Sequence, residues 1–462
     1  MVALTQDSIS YAAILQPYMP VFYVSSLVTI TLTPIMRMLA HRHGVVDDPD
    51  NKRKVHTKPI AYLGGVSIFL GWIAGVTVSV FLHPHNDLGS NATVQIPPGV
   101  LMGATAVVVF GLMDDVYSLS PRMKLLGQFL AAALLILPGI IPIPGLAGTD
   151  FLVGLNNGTQ GNGTSFNGSG WMFVDILRYV GVWGPHSPTS MAPLPTYVPV
   201  MASVLSGIVV VGIIISTCNA TNLLDGLDGL CSGVTGIMSA GYLLLAIYLA
   251  HSSIAPSQPL DPVRICLSLA LLGAVMGFLP FNFNPASIFM GDTGSMFLGF
   301  MCGTMMLLFA QSGSFRWFLS AMIMFGLPMM DTLLAIVRRK LNGKKIFSPD
   351  SNHFHHFLIR RGLTVRRAVL LSYGVAAIFV SFGLVICVIP TRMALGVYLV
   401  LFGWLIVAAF KMGMIFQHAP TMTANTTLNL SVITPGAKNG KEPSELPAKE
   451  MDSNRTEEEA KV

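Results

Sequence analysis

The residues able to do chemistry stand in five short polar clusters within an otherwise apolar chain. Carboxylates, amides and imidazoles are side chains that bind divalent cations, hold phosphates or exchange protons. A charged group costs on the order of 2.5 to 3.5 kcal/mol at the centre of a membrane helix, so acids beside apolar segments indicate a shared ligand. We interpret that ligand as a metal ion with phosphates. The clusters are Asp114-Asp115, Asn222 to Asp228, Asn282-Phe283-Asn284, Gly291 to Gly294, and His353 to His356.

The acid pair follows a short apolar segment. Neighbouring carboxylates such as Asp114 and Asp115 at a helix end can hold Mg²⁺, or one of them can accept a proton. Lys124, nine residues after the pair, can face a substrate phosphate with its compact charge. The structural alternatives are a solvated helix end for the pair and a lysine that reaches from a membrane helix to water.

The second cluster has the most specific spacing. Asn222, Asp225 and Asp228 follow one another at intervals of three residues, so a helical turn would place all three on one face. Gly226 and Gly229 remove side-chain bulk where a nucleotide could approach the backbone. A polar interfacial loop with glycine turns is the alternative.

The third and fourth clusters combine an amide, an aromatic ring and a carboxylate. Asn282 can read the edge of a base, and Phe289 can stack on it. Asp292 begins a new apolar segment, where the helix dipole also favours anions. Asp292 could instead be the N-cap of a helix that starts near Ser295.

Three histidines lie in the most basic loop of the chain. Zinc binding would need a Cys or Glu nearby to complete the ligand set, whereas the surrounding cations favour a diphosphate or sugar. The alternative is a basic loop attracted to anionic lipids. The histidines are His353, His355 and His356, flanked by Arg338, Arg339, Lys340, Lys344, Lys345, Arg360 and Arg361.

The elements that position these clusters are predicted to be membrane helices. Hydrophobic residues make up 52% and charged residues 11% of the chain, and the mean hydropathy is +0.65. A soluble domain carries about 25% charged residues. A membrane span needs about 20 apolar residues. We predict about eleven spans, at residues 21–40, 62–82, 100–113, 124–141, 198–217, 230–250, 264–280, 294–310, 316–337, 368–388 and 393–413.

The distribution of Lys and Arg predicts the orientation of these spans. Most cations fall in one set of alternating loops, which is typical of the cytoplasmic side. This places the amino terminus outside, the carboxyl terminus inside, and all five clusters in a cytoplasmic cleft. The net charge of +5 reflects the same bias and does not indicate a nucleic-acid partner. We predict a membrane domain over 1–413 with an external Gly/Asn/Ser-rich insertion at 142–197, followed by a disordered cytoplasmic tail at 414–462.

The five clusters, in this order, resemble the polyprenyl-phosphate N-acetylhexosamine-1-phosphate transferases. The resemblance extends from the first predicted cytoplasmic loop to the last and covers most of residues 21–413. Further matching pieces are Asp47-Asp48-Pro49-Asp50, Arg53-Lys54-Val55-His56, Gly64-Gly65, and Gly111-Leu112-Met113 before the acid pair.

The resemblance implies an all-α polytopic enzyme of the cytoplasmic (inner) membrane, and it is compatible with a homodimer. The implied reaction moves a sugar-1-phosphate from a UDP-N-acetylhexosamine donor to a polyprenyl phosphate, usually undecaprenyl phosphate, and releases UMP. The implied cofactor is Mg²⁺, with Mn²⁺ as a substitute. The implied residues are Asn222 and Asp292 as metal ligands; Asp228, Asn282 and Phe289 in the uridine pocket; Asp114, Asp115, Asp225 and Lys124 in catalysis; and His353, His355 and His356 on the sugar and diphosphate.

The histidine pattern separates two branches of that family. This chain has His-Phe-His-His instead of the three consecutive histidines of the muramoyl-pentapeptide branch. The pattern favours UDP-N-acetylglucosamine as donor, in the priming of a cell-envelope polysaccharide, with the muramoyl-pentapeptide-phosphate transferase of peptidoglycan synthesis as the alternative. A polar-solute transporter is a third hypothesis, but transporters place binding groups near the membrane midplane in repeated halves, and this chain has no evident internal repeat.

Overall fold

The computed structural model describes seven segments of the chain. They are residues 11–47, 59–82, 94–136, 197–252, 261–310, 315–343 and 353–411. The predicted insertion at 142–197, apart from its last residue, lies outside these segments. The predicted tail at 414–462 also lies outside them, as do Asp48 to Lys58 of the first loop. The predicted domain organisation therefore stays a prediction.

The described segments are almost entirely helical. A 3₁₀ turn at Gln16–Tyr18 joins the first two helices. The α-helices are α1 (Tyr11–Leu15), α2 (Met19–His43), α3 (Gly64–Phe81), α4 (Pro98–Tyr117), α5 (Pro121–Ile136), α6 (Tyr197–Leu224), α7 (Leu230–His251), α8 (Asp261–Asn282), α9 (Gly291–Ala310), α10 (Phe315–Met324), α11 (Gly326–Leu341), α12 (Phe354–Arg360), α13 (Val365–Val388) and α14 (Thr391–Lys411).

The helices define a polytopic membrane protein. Within the described residues, eight helical stretches are long and apolar enough to cross a membrane, and the pair α10 and α11 would make a ninth. Each of the eleven predicted stretches is largely helical where the structure describes it, but the described parts of α5 and α14 do not meet the same criterion. The number of eleven and the sidedness of the termini stay predictions.

One predicted span is broken. The sequence predicts a continuous helix over 316–337, whereas α10 and α11 meet at Phe325 with a bend of 76°. The physical reason is Pro328, the third residue of α11. It has no backbone N–H, and its ring excludes the carbonyl four residues earlier.

Helix α9 lies at the centre of the bundle. Its apolar window is buried on all sides, against α3, α4 and α6 among others. Small residues allow this close packing: a Cβ added to Gly111 of α4 would lie 2.5 Å from Cα of Thr293, and one on Gly299 would lie 2.5 Å from the carbonyl oxygen of Thr217. The amino end of α9 is therefore fixed between its neighbours.

A small sheet departs from the all-α prediction. Val46–Asp47 pairs in antiparallel fashion with Ile60–Ala61, and Ala61 forms a parallel bridge with Ile288. The N–H of Phe289 donates to the carbonyl of Ala61 at 2.8 Å, and the N–H of Gly64 donates to the carbonyl of Phe289 at 3.0 Å. Strands of two residues are too short to show an alternating pattern in sequence. The sheet ties the first loop to the segment before α9.

Candidate functional site

The amino end of α9 is capped by a carboxylate from α4. Oδ1 of Asp115 accepts a hydrogen bond from the backbone N–H of Asp292 at 2.7 Å. Oδ2 of Asp115 accepts from the backbone N–H and the hydroxyl of Thr293, at 3.1 and 2.6 Å. The first N–H groups of a helix have no partner within the helix, so Asp115 supplies what α9 lacks. Asp115 thereby fixes the backbone that carries the Asp292 side chain.

Four helices meet around the side chain of Asp292. Nζ of Lys124 on α5 lies 2.5 Å from Oδ2 of Asp292 and 2.6 Å from Oδ2 of Asp114. The amide nitrogen of Asn222, at the end of α6, donates to Oδ1 of Asp292 at 2.8 Å and to the hydroxyl of Ser295 at 3.0 Å. Residues from α4, α5, α6 and α9 therefore form one charged cluster.

Three carboxylates of this cluster are close enough to share a cation. One oxygen atom from each of Asp114, Asp115 and Asp292 lies within 4.8 Å of the others. Oxygen-only ligand sets suit Mg²⁺. The Lys124 ammonium already balances two of these carboxylates, which shows that the position favours positive charge. The family resemblance implies Asn222 and Asp292 as metal ligands; in the structure the acid pair lies beside Asp292, and metal binding stays a prediction.

The prediction of one helical turn through the second cluster is wrong. Helix α6 ends at Leu224, so Asn222 lies in its last turn while Asp225 and Asp228 lie in the turns that follow. Gly229 has a φ of +78°, in the left-handed region that glycine adopts without strain. Gly229 turns the chain into α7, and the predicted approach of a nucleotide to the two glycines stays a prediction.

Asp228 ties this turn to the third cluster. Its Oδ2 accepts hydrogen bonds from the side-chain amide of Asn284 at 2.9 Å and from the N–H of Ala286 at 3.0 Å. On the other side, Nε of Arg366 donates to the carbonyl of Asn284 at 2.9 Å. Asp228 therefore holds the loop that leads to α9, and its contact with uridine stays a prediction.

Asn282 is enclosed, with 2% of its surface exposed. Its Oδ1 accepts from the N–H of Gly229 at 3.2 Å and the hydroxyl of Ser232 at 2.8 Å, and its Nδ2 donates to the carbonyl of Ile288 at 3.1 Å. The amide thus joins α7 to the loop before α9. Phe289, by contrast, is partly exposed, with its ring centre 5.9 Å from that of Tyr62.

Asp225 binds its proton more tightly than a carboxyl group in water does. Burial raises the pKa of its carboxyl group to about 8, and the nearby charges of Asp292, Asp115 and Asp228 act in the same direction. A carboxyl group with this pKa is largely protonated at neutral pH and can exchange a proton there. This agrees with the chemistry expected of a catalytic acid, although the role of Asp225 stays a prediction.

The histidines pack against the second cluster. The ring centre of His355 lies 5.8 Å from that of His353 and 4.3 Å from that of His356. His355 covers Gly226 so closely that an added Cβ would lie 2.3 Å from its Nε2. The structure therefore brings all five clusters together in one contiguous group of contacts.

Sequence reasoning missed Asp331. Its Oδ2 lies 3.1 Å from Nδ1 of His353, and its Oδ1 accepts from the N–H of Phe354 at 2.8 Å. It lies on α11, inside a stretch that we interpreted as an apolar span. The signal was present, because an acid within an apolar stretch is by itself an indication of a functional site.

Acidification is expected to loosen the packing of the histidine helix α12. Burial lowers the pKa of His355 from 6.5 to about 3, with the charge of His356 as a further cause. His353 also lowers the pKa of His355, whereas the nearby charge of Asp331 raises it by a smaller amount than burial lowers it. His355 therefore stays neutral in the folded protein, whereas the unfolded chain takes up its proton below about pH 6.5. This contribution to stability is complete above that pH and is lost as the pH falls toward 3.

The check is the thermal unfolding midpoint of the wild type and of His355→Gln at about pH 7.5 and about pH 5. The wild type should lose more stability than the variant over this interval. Asp225, whose pKa is raised, acts in the opposite direction, so the difference between the two proteins is the quantity to compare. An equal change in both would contradict the assignment.

The fold and the site together define a class: a polytopic helical membrane protein with a carboxylate and lysine cluster at helix ends, suited to binding a cation and phosphates. Residues 97–310 match the family described as glycosyl transferase family 4. With relatives more than 30% identical over most of its length, the chain belongs to this family.

Three relatives illustrate the range of proteins to which this chain is similar. The chain is 32% identical over 365 residues to the probable undecaprenyl-phosphate N-acetylglucosaminyl 1-phosphate transferase of Bacillus subtilis, which covers 78% of this chain and 82% of that protein. It is 31% identical to the decaprenyl-phosphate N-acetylglucosaminephosphotransferase of Mycobacterium tuberculosis, over 76% and 77% of the two chains. It is 27% identical to a phospho-N-acetylmuramoyl-pentapeptide-transferase of Desulforudis audaxviator, over 78% and 95%.

Proposed function

We propose that this protein transfers N-acetylglucosamine-1-phosphate from UDP-N-acetylglucosamine to a polyprenyl phosphate and releases UMP. The observation that carries the proposal is the convergence of Lys124, Asn222, Asp114 and Asp292 at one end of an apolar helical bundle. A site of this kind can meet a lipid phosphate and a water-soluble diphosphate at the same place. The names of the two relatives above 30% identity support the donor sugar and the polyprenyl acceptor.

The reaction replaces one P–O bond with another. An oxygen of the lipid phosphate attacks the sugar-linked phosphorus in line, and the bridging oxygen leaves with UMP. Most of the acceleration in such transfers comes from positioning and charge stabilisation. Lys124, which already contacts two carboxylates, is the residue that we assign to the charge on the transferred phosphoryl group. We assign the site to the cytoplasmic face because the loops beside the clusters carry most of the cations.

The acid pair is proposed to act mainly by position and charge. Asp115 is already bonded to the start of α9, and Asp114 accepts from the N–H of Leu119 at 2.7 Å as well as from Lys124. A phosphate monoester has a second pKa near 6, so most of the acceptor is already ionised at neutral pH without a protein base. If a base takes part, Asp225 is a candidate, because the raised pKa of its carboxyl group, about 8, lies near neutral pH.

We propose Mg²⁺ as the cofactor, held by Asp114, Asp115 and Asp292, which form the set of neighbouring carboxylates. Asn222 uses its amide nitrogen to bond Asp292, so its amide oxygen is the atom that would meet the ion. When bound, the ion neutralises the charge of the diphosphate. Its presence would compete with Lys124 for the carboxylates and so favour contact between Lys124 and phosphate.

The test of the function is UMP release by the purified full-length protein with Mg²⁺, polyprenyl phosphate and a panel of UDP-sugars. UDP-N-acetylglucosamine should support turnover, and UDP-N-acetylmuramoyl-pentapeptide should not. The reverse result would assign the protein to the pentapeptide branch, which the third relative represents. Release of UMP from no donor would contradict the proposed function itself.

Removal of divalent ions is expected to abolish the reaction. Treatment with EDTA should reduce UMP release to background, and Mg²⁺ or Mn²⁺ should restore it. Ca²⁺ should restore little, because it prefers longer bonds and a larger ligand set than three carboxylates and an amide supply. Full activity in EDTA would contradict the metal assignment, while leaving the choice of donor unaffected.

A further inference from the structure

The acid on α11 is buried and fully engaged by the histidine segment. Asp331 has 2% of its surface exposed, on a helix face whose other buried residues are apolar except for Arg338, two turns further along. An acid in such surroundings costs free energy unless it is hydrogen-bonded. Its two carboxylate oxygens bond to Nδ1 of His353 and to the N–H of Phe354, which begins α12. Both contacts are to a segment 22 or more residues away in sequence.

The two bonds restrict His353 in different ways. The bond to the N–H of Phe354 fixes the start of α12 and so the place of the ring. The bond to Nδ1 fixes the ring orientation, and a carboxylate acceptor requires that Nδ1 carry the proton. Nε2 is then the ring atom available to a ligand. His353 is itself 5% exposed, so its ring has little freedom to turn.

Helix α12 places a second imidazole over the turn between α6 and α7. His355, with 1% of its surface exposed, has no hydrogen-bond partner for either ring nitrogen among the described residues. Its Nε2 lies directly over Gly226, between Asp225 and Asp228. Buried polar atoms without partners are rare in native structures and need an explanation. A polar group of a ligand bound beside this contact would supply one.

We propose that Asp331 is a positioning residue of the nucleotide-sugar site: it holds His353 in the Nδ1–H form and fixes α12, so that the imidazoles of His353 and His355 meet the donor diphosphate and sugar. This inference rests on the proposed function for the identity of the ligand. It adds a residue, Asp331, that does not touch substrate and acts through His353.

An isosteric variant separates the two roles of Asp331. In Asp331→Asn, the amide oxygen can still accept from the N–H of Phe354, but the amide nitrogen would face Nδ1 of His353. The ring must then carry its proton on Nε2. Loss of an outer partner of this kind lowers activity by about 10- to 100-fold, and we expect that reduction in kcat/KM for the UDP-sugar. The thermal unfolding midpoint should change little.

A double-mutant cycle tests whether the effect passes through His353. In the His353→Gln background, Asp331→Asn should lower kcat/KM by less than about two-fold, because the ring it orients is gone. If the fold-losses of the two single variants instead multiply in the double variant, the two residues act independently and the proposal is overturned. The control is Thr332→Val on the same helix, whose hydroxyl donates to the carbonyl of Pro328 at 3.0 Å and faces neither histidine in this network. It should keep wild-type activity.

A spectroscopic readout does not depend on turnover. With ¹⁵N-labelled histidine at about pH 8, where a free imidazole is neutral, the His353 signal is identified by its loss in His353→Gln. The wild type should show the Nδ1–H form, and Asp331→Asn should show the Nε2–H form. An Nε2–H form in the wild type overturns the proposal even if the variant fails to fold. If no UDP-sugar is turned over, the proposed function fails while this result still decides the orientation of His353.

Discussion

Replacing Asp292 with Asn is expected to lower the rate of UMP release by about 100- to 1,000-fold or more, the range seen when one preorganised electrostatic group is removed. Asp292 bonds to Lys124 and Asn222 and belongs to the carboxylate set that we assign to the cation. The substitution preserves shape and removes charge. The loss should therefore fall on kcat and on metal affinity together.

The control for Asp292 lies on the same helix. The hydroxyl of Thr304 is buried and has no hydrogen-bond partner within the described residues. Thr304→Val removes it without changing the shape and should leave activity at the wild-type level. If Asp292→Asn keeps more than about a tenth of wild-type activity at saturating Mg²⁺, the assignment of Asp292 is wrong.

Adding a single methyl group at Gly291 is expected to reduce activity by about 100-fold, a loss that a displacement of about 1 Å in a reacting group can cause. Gly291 has a φ of +67°, and an added Cβ would lie 2.4 Å from Oδ2 of Asp115. Gly291→Ala therefore imposes about 1 to 2 kcal/mol of backbone strain and also displaces the carboxylate that caps α9. Asp292, the next residue, would move with it.

Gly44 provides the matched control for this prediction. Its φ of +70° is almost the same, but a Cβ there would meet no described atom within 4 Å. Gly44→Ala thus adds the strain without the collision. It should lower the unfolding midpoint by less than Gly291→Ala, which adds the collision, while keeping activity within about two-fold of the wild type. Equal losses of activity in both would show that strain alone, and not the cap by Asp115, explains the effect.

The convergence of the clusters could be predicted from sequence because membrane helices return every second loop to the same side. Asp115 and Asp292 are 177 residues apart, yet both stand at helix ends beside apolar stretches, and they meet in the structure. The helical character of the chain could be predicted for the same reason, since a long apolar stretch has few other ways to satisfy its backbone in a membrane.

The local geometry could not be predicted in the same way. The three-residue spacing from Asn222 to Asp228 is equally compatible with a helix and with a turn, and in the structure α6 ends at Leu224, so that the two acids lie in the turn before α7. Asp115 of α4 caps the amino end of α9, and no local sequence pattern predicts that these two helices meet. Asp331 carried a signal of its own, an acid in an apolar stretch, but its partner His353 lies 22 residues further along the chain, and no local pattern indicates that the two meet.

The central claim is that the acidic clusters form one cation site that also receives the donor diphosphate. The most direct measurement is electron paramagnetic resonance of Mn²⁺ bound to the purified protein, with ³¹P couplings recorded in the presence of UDP-N-acetylglucosamine. We predict one tightly bound Mn²⁺ per chain and a ³¹P coupling, both lost in Asp292→Asn and both retained in Thr304→Val. Mn²⁺ binding that is unchanged in Asp292→Asn, or a bound ion without a ³¹P coupling, would contradict the account.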